Sequence, residues 1–238
     1  IMIIFRTVAV WVLGIISTVS AFLLIALVWP FDRRGALKHY FCVLWARSII
    51  AVSGVKVSVT GIENVPRDRA VLFLSNHQGA FDIPAIQSVL PVHFLWVAKK
   101  SLFKVPVVGW SMSLTGYISI DRDNPAEAVK SMEEASERMS EGVSVVIFPE
   151  GTRSETGALL PFKRGAFMLA KKSGVPIVPV AIQGTNRIKK KGSFLVNPAK
   201  VRISIGRPIP IGASDEKELR NMTKRQIEEM IAAPGVLS

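Results

Sequence analysis

A run of 23 residues without a single charge lies near the start of the sequence, from Thr7 to Trp29: TVAVWVLGIISTVSAFLLIALVW. As a helix it is about 34 Å long, enough to cross the hydrocarbon core of a bilayer. A secretory signal peptide is the alternative, but the apolar run is too long for one and no small-residue cleavage site follows it. The run therefore predicts a retained membrane anchor.

A second helix is predicted from Ala36 to about Val52, after a turn that contains Pro30, Arg33 and Arg34. Its polar residues alternate with large apolar ones, which is typical of a helix at the membrane interface. Because the two arginines of the turn are costly at the bilayer centre, either the first helix spans or both helices lie obliquely in one leaflet. Residues 1–53 are thus predicted to form a two-helix membrane-anchoring segment.

From residue 54 the composition is that of a soluble domain in which strands alternate with helices. This order predicts an α/β fold over residues 54–238, a largely parallel sheet flanked by helices. A helix is predicted from Asn124 to Ser140, with Asn124 as its cap and Val129, Met132, Ala135 and Met139 on its apolar face. The strand candidates are Val55–Thr60, Ala70–Leu74, His93–Ala98, Tyr117–Ile120, Val143–Phe148, Ile177–Ala181 and Val201–Ile205; the further helix candidates are Ile83–Leu90, Lys163–Lys172 and Asp215–Ala232.

The chain is both basic and hydrophobic: its net charge is +12 and 49% of its residues are apolar. This combination favours an anionic membrane surface or substrate over nucleic acid, for which no recognition motif is present. The single cysteine, Cys42, excludes a disulfide framework and indicates a reducing compartment. No pair among His39, His77 and His93 has zinc spacing, so no metal is expected. The basic loop Asn186–Ser193 is either a lipid headgroup contact or a solvated loop.

The candidate catalytic residues are His77 and Asp82, in the loop that follows the strand Ala70–Leu74. Gly79 permits a bend that brings the two side chains together, and a histidine oriented by a carboxylate is a general base. The alternative is purely structural, with Asp82 as a helix cap and His77 as an ordinary loop histidine.

Two arginines follow other predicted strands. Arg122 comes after Tyr117–Ile120, and Arg153 lies in the segment Pro149–Ser154 after Val143–Phe148. In a parallel sheet both reach the same edge as His77. There two guanidinium groups would form a phosphate pocket, with Gly151 allowing close backbone approach and Thr152 adding a hydroxyl donor. Taken singly, each segment is a surface turn.

The sequence resembles the 1-acylglycerol-3-phosphate (lysophosphatidic acid) acyltransferases. Four blocks match in order: Asn76-His77 with Asp82, Gly116 through Arg122, Phe148 through Arg153, and Val175 through Val180. The resemblance implies that a hydroxyl attacks an acyl thioester without an acyl-enzyme, with His77 as general base and Asp82 supporting the imidazolium. It also implies that Arg122, Glu150, Gly151 and Arg153 shape the glycerophosphate site, and that the Val175–Val180 block forms its apolar side. Lys99 is expected to be a further phosphate contact.

By this resemblance the substrate is lysophosphatidic acid, whose 2-hydroxyl is acylated to give phosphatidic acid. The co-substrate is an acyl thioester of acyl carrier protein or coenzyme A, and no other cofactor is expected. We expect the chain at the cell inner (cytoplasmic) membrane, with its site on the cytoplasmic side. The alternatives are acylation of glycerol-3-phosphate or another lysophospholipid, and a non-catalytic membrane module that binds anionic lipid. The sequence contains neither a Gly-x-Ser-x-Gly elbow nor a glycine-rich nucleotide loop.

Overall fold

The computed structural model describes residues 2–190 and 192–233, without the side chains of residues 2 and 3. Residue 1 of the predicted membrane-anchoring segment, residues 234–238 of the predicted α/β domain and Lys191 of the predicted basic loop lie outside the described part. The division of the chain at residue 54 stays a prediction.

Two N-terminal helices pack against each other. The first, α1, runs from Met2 to Val28 and the second, α2, from Ala36 to Ser53. Trp45 on α2 donates a hydrogen bond from Nε1 to Thr18 Oγ1 on α1, 3.0 Å away. Asp32 in the connecting turn accepts from the backbone N–H of Lys38 at 2.8 Å and so caps the first turn of α2. Within the described residues one stretch, Ile4–Val28, is long and apolar enough to cross a membrane, and little of its surface is buried by the rest of the chain.

The α/β part is a seven-stranded sheet with helices on both faces, as predicted. Its strand order is β1-β7-β6-β2-β5-β3-β4, and every neighbouring pair is parallel except β6 and β7. The strands are β1 (Lys56–Thr60), β2 (Leu72–Ser75), β3 (Phe94–Lys99), β4 (Ile118–Ile120), β5 (Ser144–Ile147), β6 (Ile177–Gln183) and β7 (Lys200–Ile205). The helices are α3 (Asp82–Val89), α4 (Val108–Thr115), α5 (Pro125–Ser140), α6 (Gly165–Ser173) and α7 (Glu216–Ala232), with 3-10 turns at Ile62–Asn64, Lys100–Lys104 and Thr185–Arg187.

The central strands are buried on both faces because neighbouring side chains point to opposite sides. Phe73 of β2 lies in one apolar core with Ile86 of α3, and Leu72 and Leu74 lie in the other with Phe167 of α6. This sheet fixes β2, β5, β3 and β4 in parallel, so their carboxyl ends meet at one edge. The loops that carry the predicted site residues leave the sheet there.

Helix α5 begins as its sequence predicts, since the Asn124 side chain accepts from two backbone N–H groups of the first turn. The prediction that Val129 lies on its apolar face is wrong, because that side chain is exposed. Ser131 takes the buried position instead, where its hydroxyl donates to the backbone oxygens of Ser119 and Glu127.

Candidate active site

The paired side chains His77 and Asp82 lie in and just after the loop that joins β2 to α3. His77 Nδ1 is 2.6 Å from Asp82 Oδ2. The carboxylate is fully buried, whereas the imidazole keeps 12% of its side chain exposed and borders a large cleft. Because Nδ1 faces the carboxylate, Nε2 is the ring nitrogen left to face a reactant. This is the arrangement of a general base held by an acid.

Asp82 also organises the loop itself. Its Oδ2 atom accepts from the backbone N–H groups of Gln78 at 2.6 Å and Gly79 at 2.9 Å, and its Oδ1 atom accepts from the hydroxyl of Thr185. These donors lie outside α3, whose N-cap is Phe81. The interpretation of Asp82 as only a helix cap therefore does not fit, since one carboxylate holds the loop and the imidazole together.

Glu150 holds His77 from the other side of the loop. Its Oε1 atom accepts from the His77 N–H at 2.7 Å and its Oε2 atom from the Leu160 N–H at 2.9 Å, while the His77 carbonyl accepts from Ser154 N at 2.8 Å. Burial raises the pKa of Glu150, and the two backbone donors oppose that shift. Glu150 does not border the cleft. The structure thus places this predicted substrate residue behind the site, as a support for the His77 backbone.

Two aromatic rings fix the plane of the imidazole. Phe148 stacks on His77 with ring centroids 3.9 Å apart and an interplanar angle of 9°, and Trp96 stacks on Phe148 at 5.4 Å. This stack covers one face of the histidine ring and holds its orientation.

The cleft beside His77 has a volume of about 1190 Å³ and two chemically different parts. Its rim is strongly basic, with two acidic side chains, Asp123 and Glu155, among the described lining residues. Its walls are apolar and come largely from the N-terminal helices and α4. The basic lining residues are Lys99, Arg122, Arg153, Lys163, Arg187, Lys189 and Lys190; the apolar walls include Ala21, Ile25, Trp45, Ile83, Leu102, Val108 and Met112.

Most of the predicted substrate residues border this cleft: Lys99, Arg122, Gly151, Thr152 and Arg153. The Arg122 guanidinium donates from Nη1 to the Gly151 carbonyl, which fixes it at the rim, and burial lowers its pKa. Gly151 has φ of +73°, and a Cβ there would lie 2.9 Å from Lys163 Cε. The positive φ of this turn favours glycine, and the flexible Lys163 side chain that lies beside it adds a further ammonium group to the cleft lining.

Lys99 and its neighbour Lys100 have different surroundings. Lys99 borders the cleft, whereas Lys100 forms an ion pair with Asp121 at 3.3 Å and does not. The prediction that the Val175–Val180 block forms the apolar side of the site is wrong. Its residues from Ile177 onward form the buried strand β6, which binds the β2–α3 loop through hydrogen bonds between Asn76 and Ile182 instead.

Three features of the site were not predicted from the sequence. Thr185 lies 103 positions from Asp82, and no local signal connects them. Phe148 stands in a matched block, but nothing in the block reveals that it stacks on His77. Helix α4, which lines the cleft, was not predicted because it is short and has no side-chain cap.

Within the described residues no group of three or more metal-ligating side chains occurs.

Comparison with known proteins identifies the family. The Acyltransferase family model matches residues 56–183. The chloroplastic 1-acyl-sn-glycerol-3-phosphate acyltransferase BAT2 of Brassica napus is 39% identical over 205 residues, 82% of this chain and 59% of the relative. The alpha form of Homo sapiens is 36% identical over 153 residues, 63% of this chain and 54% of the relative. The chain therefore spans a little over half the length of these curated relatives.

One solved structure matches almost the whole chain. It is the crystal structure of the 1-acyl-sn-glycerophosphate (LPA) acyltransferase PlsC from Thermotoga maritima, with a TM-score of 0.85, 29% identity and coverage of 98% of both chains. The family match includes the His77 loop, both arginine segments and all of β6. The chain belongs to the Acyltransferase family.

Proposed function

We propose that the protein transfers a fatty acyl group from a thioester of acyl carrier protein or coenzyme A to the 2-hydroxyl of 1-acylglycerol-3-phosphate, giving phosphatidic acid. The observation that carries the proposal is that one cleft combines the His77 imidazole, a cationic rim and apolar walls supplied by α1, a helix long enough to cross a membrane. The names of the relatives favour this acceptor over others.

In the proposed reaction His77 Nε2 takes the proton from the acceptor hydroxyl as its oxygen attacks the thioester carbonyl. Asp82 stabilises the positive charge that develops on the ring. The tetrahedral intermediate then collapses, the C–S bond breaks, and the imidazolium returns the proton to the departing thiolate. A new ester bond replaces the thioester, and no residue of the chain becomes acylated.

The two parts of the cleft match the two parts of the acceptor. Its phosphate lies among the basic side chains of the rim, with Arg122 and Arg153 as its main contacts, because guanidinium groups bind phosphate oxygens bidentately. The hydrocarbon chains lie against Ile25, Trp45 and Met112. The lipid acceptor and product thus remain partly in the membrane. We place the protein at the cell inner membrane, with the site facing the cytoplasmic pool of acyl donors.

Acceptor choice is tested by assaying the detergent-purified protein with lysophosphatidic acid, glycerol-3-phosphate and lysophosphatidylcholine at matched donor concentrations. We expect the highest kcat/KM with lysophosphatidic acid. A preference for glycerol-3-phosphate would overturn the proposed acceptor and leave acyl transfer itself intact.

Catalysis is tested with His77→Ala. General-base catalysis is worth about 100- to 10,000-fold, so turnover should fall at least about 100-fold while membrane attachment is kept. Arg153→Ala should chiefly raise KM for the phosphorylated acceptor, with Arg225→Gln, an exposed arginine on α7, as the control. Full activity of His77→Ala would remove this residue from the mechanism, and the absence of acyl transfer in the unchanged protein would favour a lipid-binding module.

A further inference from the structure

A second cleft lies at the opposite edge of the sheet from His77. It has a volume of about 510 Å³ and is bordered by the α1–α2 turn, by the residues that precede β3 and β5, and by the end of α5. His93 comes just before β3 and Val143 just before β5, so this is the edge where the parallel strands begin. Thr115, at the end of α4, borders both clefts.

Basic side chains dominate this amino-edge cleft. Arg33, Arg34, Lys38 and Arg138 line it, and Glu141 is the acidic residue among its described lining residues. Glu141 is already in an ion pair with Arg138 at 3.3 Å. A second carboxylate, that of Asp32, lies nearby and accepts from the Lys38 backbone. The cationic groups therefore outnumber both carboxylates, and the cleft carries a net positive charge.

Two of the lining groups have no partner among the described residues. The Lys38 residue is only 9% exposed, yet among the described residues its ammonium group makes no ion pair or hydrogen bond. His93 Nε2 is buried and likewise has no hydrogen-bond partner in the described part of the chain. Both side chains converge over Gly35, where a Cβ would lie 2.9 Å from His93 Cε1 and 3.9 Å from Lys38 Cε. An anion in the cleft would supply a partner for both the Lys38 ammonium group and the buried His93 Nε2 atom.

The position of the cleft indicates which anion it takes. It lies at the end of α1, with Trp29 in its lining and the exposed ring of Phe31 beside it in the turn. Aromatic residues at the end of an apolar helix lie at the depth of lipid headgroups, where phosphate groups are concentrated. We propose that the amino-edge cleft is a second phosphate-binding site, which holds the phosphate of an anionic phospholipid through Lys38, Arg138 and His93.

The test uses the full chain in detergent, with lipid binding followed by native mass spectrometry. The probe is dioleoyl phosphatidylglycerol, and the variant is the double substitution Lys38→Gln with Arg138→Gln. The matched control is Lys217→Gln with Arg225→Gln, which removes two exposed charges from α7. Because hydrogen bonds to charged groups are stronger than those between neutral groups, we expect the Kd of the tightest bound lipid to rise at least about tenfold in the variant. The control should stay within about twofold of the unchanged protein.

Equal lipid affinity in the variant and the control would overturn the proposal. Titration with inorganic phosphate distinguishes the source of the ligand: displacement of the lipid by millimolar phosphate supports a site that also takes free phosphate, and retention of the lipid supports a headgroup site. The single variant Arg138→Gln keeps the test decisive if the double variant does not fold, because the Arg138 side chain is partly exposed at the end of α5. Turnover with His77 intact should be unchanged in Arg138→Gln, because this cleft is separate from the reacting groups.

Discussion

Asp82→Asn separates the charge of Asp82 from its role in holding the loop. Among the described residues, three N–H groups, from His77, Gln78 and Gly79, donate to Oδ2, whereas Oδ1 accepts only from the hydroxyl of Thr185. An asparagine can put its oxygen at the Oδ2 position and its amide nitrogen toward Thr185. The threonine hydroxyl then accepts a hydrogen bond instead of donating one. Every hydrogen bond is kept and the negative charge is lost.

The size of the effect follows from that geometry. Two unit charges about 4 Å apart attract by about 4 kcal/mol at an effective dielectric constant near 20, and a neutral amide oxygen retains part of that attraction. We expect the imidazolium to lose about 2–4 kcal/mol of support, which lowers kcat by about 30- to 1000-fold. KM for the acceptor should change little, because Asp82 does not border the cleft.

The assay combines acyl transfer, followed by thiol release and phosphatidic acid formation, with thermal unfolding of the same samples. Asp82→Asn should unfold within a few degrees of the unchanged protein. Asp82→Ala is the contrasting variant, since it leaves four donors, three N–H groups and the Thr185 hydroxyl, without their acceptor, each at about 1–3 kcal/mol when buried, and should lose stability as well. Turnover of Asp82→Asn within about threefold of the unchanged protein would show that the carboxylate charge does not support catalysis.

The remaining predictions concern groups around the site and the N-terminal helices. Thr185→Val removes the hydroxyl donor to the buried carboxylate and should lower kcat about tenfold at constant KM, with recovery in Thr185→Ser; equal kcat for valine and serine would contradict this. Glu150→Gln can accept only one of its two backbone donors and should cost about 1–3 kcal/mol in urea unfolding, unlike the exposed control Glu229→Gln. Burial, followed by repulsion from His93, lowers the pKa of His39 to about 4, against a usual 6.5. Since the unfolded chain binds that proton more readily, stability is fully present above pH 6.5 and declines, by up to about 3 kcal/mol, as the pH falls toward 4. His39→Leu should flatten this decline in urea unfolding, and an unchanged slope would exclude His39 as its source.

The sheet was predictable because its strands are short, continuous apolar runs. All seven predicted strands occur, each starting and ending within two residues of its predicted bounds. An apolar run indicates that a strand is buried but not which way it runs, so the antiparallel orientation of β1 and β7 relative to the other strands was not predictable.

Helix α4 was not predicted because its sequence carries no clear helix signal. It has only eight residues, its N-cap Val107 has φ of +64°, and Gly109 lies in its first turn, where a Cβ would be 2.1 Å from Phe103 O. Close packing, and not helix propensity, sets this helix in place.

The site was predictable only as far as strand ends allow. That His77, Arg122 and Arg153 share one edge follows from parallel strands, because the loops after such strands meet there. The partners of those residues come from tertiary packing and have no sequence signature. Glu150 illustrates the limit, since its place in a matched block indicates importance at the site but not that both its oxygens bind backbone groups.

The buried and the exposed polar groups of the site are expected to affect different kinetic parameters, kcat and KM. Asp82, Glu150 and Thr185 are all buried. Asp82 and Glu150 bind backbone N–H groups of the β2–α3 loop, Thr185 binds Asp82, and Glu150 also accepts from the Leu160 N–H after β5. We therefore expect them to affect the substrate through the position and charge of His77. Under the proposed function, changes in them should act on the chemical step. Arg153 and Lys99 are exposed at the rim of the cleft, so changes in them should act on acceptor binding. We therefore expect two sets of residues at one edge of the sheet to control kcat and KM separately, because one set is buried in the protein and the other borders the cleft.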